Sequence, residues 1–328
     1  MSSSSVALDT ELATIEVLHT VLAHQRRHRD GACTGRICLR CMRFHLDSVR
    51  ATMERGAPIE FVLPAFPAKS PNPAKVLSPL PDTAEELALR FLNSLCERIA
   101  EIYPPGARIS ICSDGRVFSD LIGVPDDHVT AYQRGLERMI RRIGAQHLSQ
   151  FTLDDVYTGA HHDEMRKVLD AGYGYDHADL RAEVKAGGHA LALYRGITRF
   201  MLEDQLTPGY TGTKAALQRK CRDLAYGVIS RSKAWGDLLG ELFPHAVRLS
   251  IHPQACATGK IGILLAETPD SWLTPWHSVA VESGGTFTLM KRAEAEKAGA
   301  QLVYVAGKPS YYSLAPAAEL EPWQRLCA

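Results

Sequence analysis

The chain has no surplus of charge of either sign: 37 lysines and arginines balance 37 aspartates and glutamates over 328 residues. With no global field to concentrate polyanions, binding to nucleic acid or anionic lipid loses its usual electrostatic basis, and any anion site must be local. Long hydrophobic runs are also missing. No stretch of about 18 apolar residues occurs, and the start, MSSSSVALDTELATIEVL, has neither the basic flank nor the uninterrupted apolar core of a secretory signal. These absences lead to the expectation of a cytoplasmic protein with no membrane or nucleic-acid partner. There is no GxGxxG after a strand pattern, no GxxxxGK followed by Ser or Thr, no HExxH and no GxSxG. Nucleotide-dependent chemistry and simple hydrolysis therefore lack their usual signatures. Internal repeats are absent, and low complexity is confined to the serines at 2–5.

What is present is an ordinary globular composition, 45% hydrophobic and 23% charged, in a chain long enough for one large domain or two modest ones. Eight irregularly spread cysteines without a signal peptide read as reduced thiols rather than a disulfide framework. From Asp9, Leu12, Ile15, Leu18, Val21 and Leu22 recur at helical spacing, and a second helix fits Leu39 to Glu54. IEFVL at Ile59 to Leu63 has strand length. A helix then begins with Asp82 as N-cap and Glu85 three residues on, a capping-box arrangement. RISICSDG gives a buried-type strand over Ile109 to Cys112 that stops at a Ser-Asp-Gly turn, and Val129 to Ile143 is again helical. This alternation argues for an α/β fold with a Rossmann-like, mostly parallel sheet. Residues 1–57 read as a helical N-terminal segment. Residues 58–328 read as an α/β catalytic domain with a helical insertion at about 152–235. Strand patterns return at AVRLSIH, IGILL and HSVAVE. Ser283, Gly284 and Gly285 connect into TFTLMK, so an antiparallel hairpin is expected at one end of the sheet, before a helix at Arg292 to Ala300 and the QLVYV run.

In an open α/β sheet, ligands bind beyond the carboxyl ends of the strands, where loops converge and helix N-termini point their dipoles. Three signals occupy that position. The segment FVLPAFPAKSPNPAKVLSPLPD places Lys69 and Lys75 among six prolines, which fix φ and lower the ordering cost of a loop that must hold a cation in place. Asp114 and Arg116 follow the second strand, the first suited to proton transfer or to anchoring an amine, the second to a bidentate grip on phosphate or carboxylate. His252 ends a third strand, and His277 precedes another. Lys291 and Arg292 close the hairpin and open a helix, a further anion candidate. Against these stand plainer roles: solvated lysines on a stiff loop, a turn-holding aspartate, a surface ion pair and hydrogen-bonded structural histidines. The basic run RGLERMIRRIG lacks interleaved aromatics and reads as a solvated face. Separately, CTGRICLRCMRFH offers Cys33, Cys38, Cys41 and His45 at spacings that suit zinc. Cys38, Cys41 and His45 also fall at one-turn spacing on a helix, where free cysteines serve as small apolar residues.

The blocks PAFPAKSPNPAKVLSPLPDTAEELAL, ICSDGRVFSDLIGV, RLSIHPQ with KIGILL, and WLTPWHSVAV with FTLMKRAEAE together resemble the pyoverdine/dityrosine biosynthesis family, the isonitrile synthases. The likeness runs from about Pro58 to Tyr312. It implies an enzyme that turns the α-amine of an aromatic amino acid, tyrosine or tryptophan, into an isocyanide, taking the carbon from C2 of ribulose 5-phosphate, with no cofactor. It also implies that the product passes to an iron(II), 2-oxoglutarate-dependent oxygenase. Set against that chemistry, Asp114, His252 and His277 become candidates for proton transfer. Lys69, Lys75, Arg116, Lys291 and Arg292 become candidates for holding phosphate or carboxylate, and Phe118 and Trp276 for packing the substrate ring. The expectation is an L-tyrosine isonitrile synthase. Two other readings stay open: a sugar-phosphate carbon–carbon lyase working through a lysine Schiff base, and a non-catalytic zinc-bearing interaction module.

Overall fold

The computed structural model describes residues 3–28, 32, 33, 35, 37–268 and 273–314. Residues 29–31, which precede the CTGRICLRCMRFH segment, and Trp272, which opens the WLTPWHSVAV block, lie outside the described residues. Helix α1 (Ser3–Leu22) is followed by α2 (Leu39–Glu54), β1 (Ile59–Pro64), α3 (Thr83–Ile102), β2 (Ala107–Ser113), α4 (Gly115–Ile122), α5 (Asp126–Arg142) and β3 (Leu148–Thr152). A run of helices comes next: α6 (Leu153–Val156), α7 (His162–Tyr173), α8 (His177–Ala186), α9 (Gly188–Gln205) and α10 (Lys214–Leu242). The chain then forms β4 (Val247–Ser250), β5 (Lys260–Gly262), a single 3-10 turn (Pro275–His277), β6 (Val279–Ser283), β7 (Thr286–Met290), α11 (Arg292–Lys297), β8 (Gln301–Val305) and β9 (Lys308–Leu314). No described helix is long and apolar enough to cross a membrane.

Five strands make an all-parallel sheet in the order β3-β2-β1-β4-β5. Phe61, Val62 and Leu63 of β1 are consecutive and all buried, as expected of a central parallel strand covered on both faces. The chain builds from β1 to β3 in one direction and then returns to add β4 and β5 on the other side of β1. The order therefore reverses between β1 and β4, the place where α/β sheets open a crevice. Helix α3 starts with the expected capping box: Ala84 N–H donates to Asp82 Oδ1 at 2.9 Å, and Asp82 N–H to Glu85 Oε2 at 3.0 Å.

Strands β3 and β9 have no counterpart among the expected strands, and the hairpin is not part of the parallel sheet. It belongs to a second sheet ordered β7-β6-β9-β8 that rests on α3. The hairpin itself forms as expected: Gly284 and Gly285 have φ of 58° and 82°, the positive values a two-residue turn with this twist demands. What keeps it off the parallel sheet is the N-terminal segment, which covers the outer edge of β5. Arg26 N–H donates to Gly262 O at 2.7 Å and Leu264 N–H to His24 O at 3.1 Å. The approach is so close that a Cβ on Gly262 would lie 2.2 Å from Arg26 O. A paired edge leaves no ladder for a further strand.

Candidate active site

Beyond the carboxyl ends of β1, β2 and β4 lies a cavity of about 160 Å³. At about 10–15 Å³ per water, it holds on the order of ten waters, the scale of an amino acid. Its floor comes from the proline loop at Pro67, Ala68 and Ser70, from Asp114, and from Ile251 to Pro253; α9 and α10 roof it, and Thr274, Trp276 and His277 close one side. The floor depends on backbone contact. Ser113 Oγ donates to Phe66 O at 2.7 Å, and a Cβ on Gly115 would fall 1.9 Å from Pro67 O, so only glycine lets the proline loop settle onto the start of α4. Phe66 takes φ of 56° while fully buried, and its ring meets Trp276 at 5.2 Å. A bulky residue in the left-handed region is strained backbone held by its surroundings, here behind Trp276 and next to Pro67, both of which line the cavity.

The polar groups in this cavity are tuned by burial. Asp114 is half-buried, but its Oδ1 is out of reach of solvent and has no hydrogen-bond partner. Desolvation raises its pKa to about 7 against the weaker pull of a backbone amide, which suits a group that exchanges protons near neutrality. The His252 ring presents accessible surface to the cavity, yet enclosure by protein desolvates it and Arg26, Lys260 and His189 repel a positive charge. Its pKa falls to about 4, so the imidazole is neutral. His277 is held from both sides: Nδ1 lies 3.1 Å from Thr274 Oγ1 and Nε2 lies 3.1 Å from Asp204 Oδ2. Asp204 is 1% exposed. Burial alone would raise its pKa, but His277 and Lys75 override that and hold it well below the usual carboxylate range. Lys75 reaches Asp204 Oδ1 at 2.5 Å and Ser70 Oγ donates to the same oxygen at 2.7 Å.

A second cavity, of about 360 Å³, adjoins the first. Arg199, Phe200 and His277 line both, and the second adds Lys75, Lys291 and Arg292. A largely apolar chamber lined by Asp114 and His252 thus meets a cation-rich one across a shared histidine and arginine.

A scan for known families matches residues 49–303 to the pyoverdine/dityrosine biosynthesis proteins. The chain is 49% identical to an L-tyrosine isonitrile synthase from Pseudomonas aeruginosa over 94% of its own length and 96% of that protein's. It is 47% identical to one from Xenorhabdus nematophila, over 93% and 92%. With an L-tryptophan isonitrile synthase from Fischerella ambigua it shares 44%, over 91% of each chain. The crystal structure of PvcA from Pseudomonas aeruginosa superposes with a TM-score of 0.88 at 49% identity, covering 92% of this chain and 99% of that one. The chain belongs to the pyoverdine/dityrosine biosynthesis family.

Of the residues expected in the site of this family member, Asp114, Phe118, His252, Trp276 and His277 line the first cavity, and Lys75, Lys291 and Arg292 the second. Lys69 borders the first, but its ammonium is fully buried between Asp82 Oδ2 and Glu85 Oε2, each at 2.8 Å, and donates to Pro275 O at 3.2 Å. Burial opposes the charge, but the two carboxylates outweigh it and raise the Lys69 pKa. With two acids sharing one cation, burial pushes Glu85 up to about 7. Arg116 is not brought to either cavity. Its guanidinium donates to Asp126 Oδ1 at 3.0 Å and Thr130 Oγ1 at 2.7 Å, while Arg166 of α7 takes both Asp126 oxygens at 3.0 Å. That network ties the helical run to α4 and α5. Arg292 donates to Pro73 O and Val76 O at 2.8 and 2.9 Å, so it also pins the proline loop. Sequence reasoning missed Asp204, Arg199 and His189. All three lie on α9, at spacings that from sequence alone read as an ordinary helix face.

Proposed function

We propose that this chain is an isonitrile synthase that converts the α-amine of L-tyrosine into an isocyanide with ribulose 5-phosphate as carbon donor. The observation that carries the reading is the pair of adjoining cavities that share Arg199, Phe200 and His277. The apolar chamber, walled by Phe118, Phe200 and Trp276, takes the aromatic amino acid. The chamber with Lys75, Arg199, Lys291 and Arg292 takes the dianionic sugar phosphate. The amine of one and the C2 ketone of the other then meet beside His277.

Asp114, with a pKa of about 7, accepts a proton from the substrate ammonium, freeing the nitrogen lone pair. Attack on C2 forms the carbon–nitrogen bond; the carbonyl oxygen gains two protons by way of His277, matched by the two that the nitrogen gives up, and leaves as one water, so the imine remains. Asp204 fixes the His277 ring for that transfer. Cleavage of both carbon–carbon bonds to C2 leaves that carbon on nitrogen as the isocyanide: one fragment departs as an aldehyde and leaves its bonding pair on C2, and the other departs with its bonding pair, takes up the hydroxyl proton released by the first and becomes an alcohol. The isocyanide then passes to an iron(II), 2-oxoglutarate-dependent oxygenase. Within this reading, residues 58–328 are the catalytic domain and 152–235 its cap. A lysine Schiff base is disfavoured at two of its candidates: Lys69 is held charged between carboxylates and Lys75 is paired with Asp204. Tyrosine is preferred over tryptophan because the two tyrosine enzymes share 49% and 47% identity with the chain, against 44% for the tryptophan enzyme.

The test is incubation with ribulose 5-phosphate and each aromatic amino acid, with tetrazine trapping of the isocyanide. Tyrosine is expected to give the trapped product. Isocyanide from tryptophan alone would move the substrate, and none from any amino acid would overturn the function.

A further inference from the structure

Three chain segments bring four thiols together on the face of the molecule where the N-terminal helices meet the loop after β4. They are Cys33, Cys38, Cys41 and Cys256, all free, with their sulfurs mutually within 4.8 Å. The Cys33–Cys41 separation is 3.6 Å, Cys38–Cys256 3.7 Å and Cys41–Cys256 3.8 Å. Four sulfurs at the corners of a tetrahedron around zinc, with bonds of about 2.3 Å, are separated by about 3.8 Å. His45, the fourth ligand expected from sequence, is not in the group; it bonds the backbone at Thr258 instead.

Apolar packing does not account for the cluster. Cys38 and Cys41 are buried, but Cys33 and Cys256 are only half-buried, where a thiol gains little as a small hydrophobe. Ala257 N–H donates to Cys41 Sγ at 3.4 Å.

We propose that Cys33, Cys38, Cys41 and Cys256 form a tetrathiolate zinc site. Four protein sulfurs close the coordination shell and leave no position for substrate, so the ion is structural. It clips the segment between α1 and α2 to the loop that carries His252, adding to the bonds that Arg26 and His28 make to Gly262 and Gln254.

The untagged full-length chain, purified from zinc-supplemented medium, is expected to retain about one zinc per chain through dialysis. X-ray absorption at the zinc edge should show four sulfur neighbours at about 2.3 Å. Cys41→Ser and Cys256→Ser should each lose the metal or replace a sulfur by a lighter atom, while Cys221→Ala keeps it. Cobalt exchanged into the wild-type chain should give thiolate charge-transfer bands, a readout that survives if the serine variants do not fold. Metal-free chains that take up neither ion, zinc bound through nitrogen and oxygen only, or full zinc retention by both serine variants would each overturn the site.

Discussion

Asp114→Asn should make the protein more stable and less active, in a way that depends on pH. Asp114 ionises at 3.8 in an unfolded chain and at about 7 in the fold, because burial disfavours its charged form. Between those values the folded state binds more protons than the unfolded one, so the contribution of this group to stability is full below pH 3.8 and is lost as pH rises towards 7. The displacement corresponds to about 4 kcal/mol. The half-open cavity beside the carboxylate screens part of that, and about 1–3 kcal/mol is the realistic size. An amide carries no such penalty. Urea unfolding at steps from pH 5 to 8 should therefore show the variant gaining on the wild type as pH rises, by about 1–3 kcal/mol at pH 8. If Asp114 is the proton acceptor, isocyanide formation by the variant should fall about 10²–10⁴-fold. Parallel stability curves across the pH range would refute the buried-charge argument. A variant with wild-type turnover would refute the catalytic one.

Asp204→Asn should cost about 3–5 kcal/mol at neutral pH, because Lys75 and His277 lose a buried counter-charge. The ionisation of Asp204 is depressed in the fold, so the gap to wild type should narrow as pH falls below 3.8; turnover should drop about 10²-fold with misplacement of His277. Lys69→Met should destabilise by about 3–5 kcal/mol, with part recovered in the Lys69→Met, Glu85→Gln double variant; thermal melting of both, with KM for the sugar phosphate unchanged, would place Lys69 among structural rather than ligand cations. Arg116→Lys should lower stability by about 2 kcal/mol in urea unfolding by losing the fork to Asp126 and Thr130, with kcat and KM close to wild type. Lys291→Ala should raise KM for ribulose 5-phosphate about tenfold and leave that for tyrosine unchanged, as loss of one charge-assisted contact predicts; equal changes in both would place Lys291 outside the phosphate chamber.

The local pattern carried much of the fold. Phe61 to Leu63 form an unbroken apolar run because β1 is covered on both faces there, the Ile109 to Cys112 stretch of β2 is broken only by Ser110, and Asp82 with Glu85 announces the start of α3 within four residues. The paired glycines at 284 and 285 likewise fixed a hairpin without fixing its sheet. That choice rested on the covering of β5 by residues 24–28, a contact spanning more than two hundred positions. The same limit shaped the site. Lys69, Lys75 and Arg116 look alike as cations near strand ends, and what separates them is which acid each one meets: Asp82 and Glu85, Asp204, and Asp126. Asp126 lies 10 positions from Arg116 and Asp204 lies 129 from Lys75, and neither pairing is marked by any spacing pattern.

Residue order alone determined the alternation of strands and helices, the placing of candidate polar groups at strand ends, and family membership, because each is written in short-range periodicity or in contiguous blocks. Tertiary structure decided which charges are already neutralised, which imidazole is braced by Asp204, and that Cys256 rather than His45 completes the sulfur cluster. Pairing energies depend on separation in space and on exclusion of water, and neither is encoded in spacing along the chain.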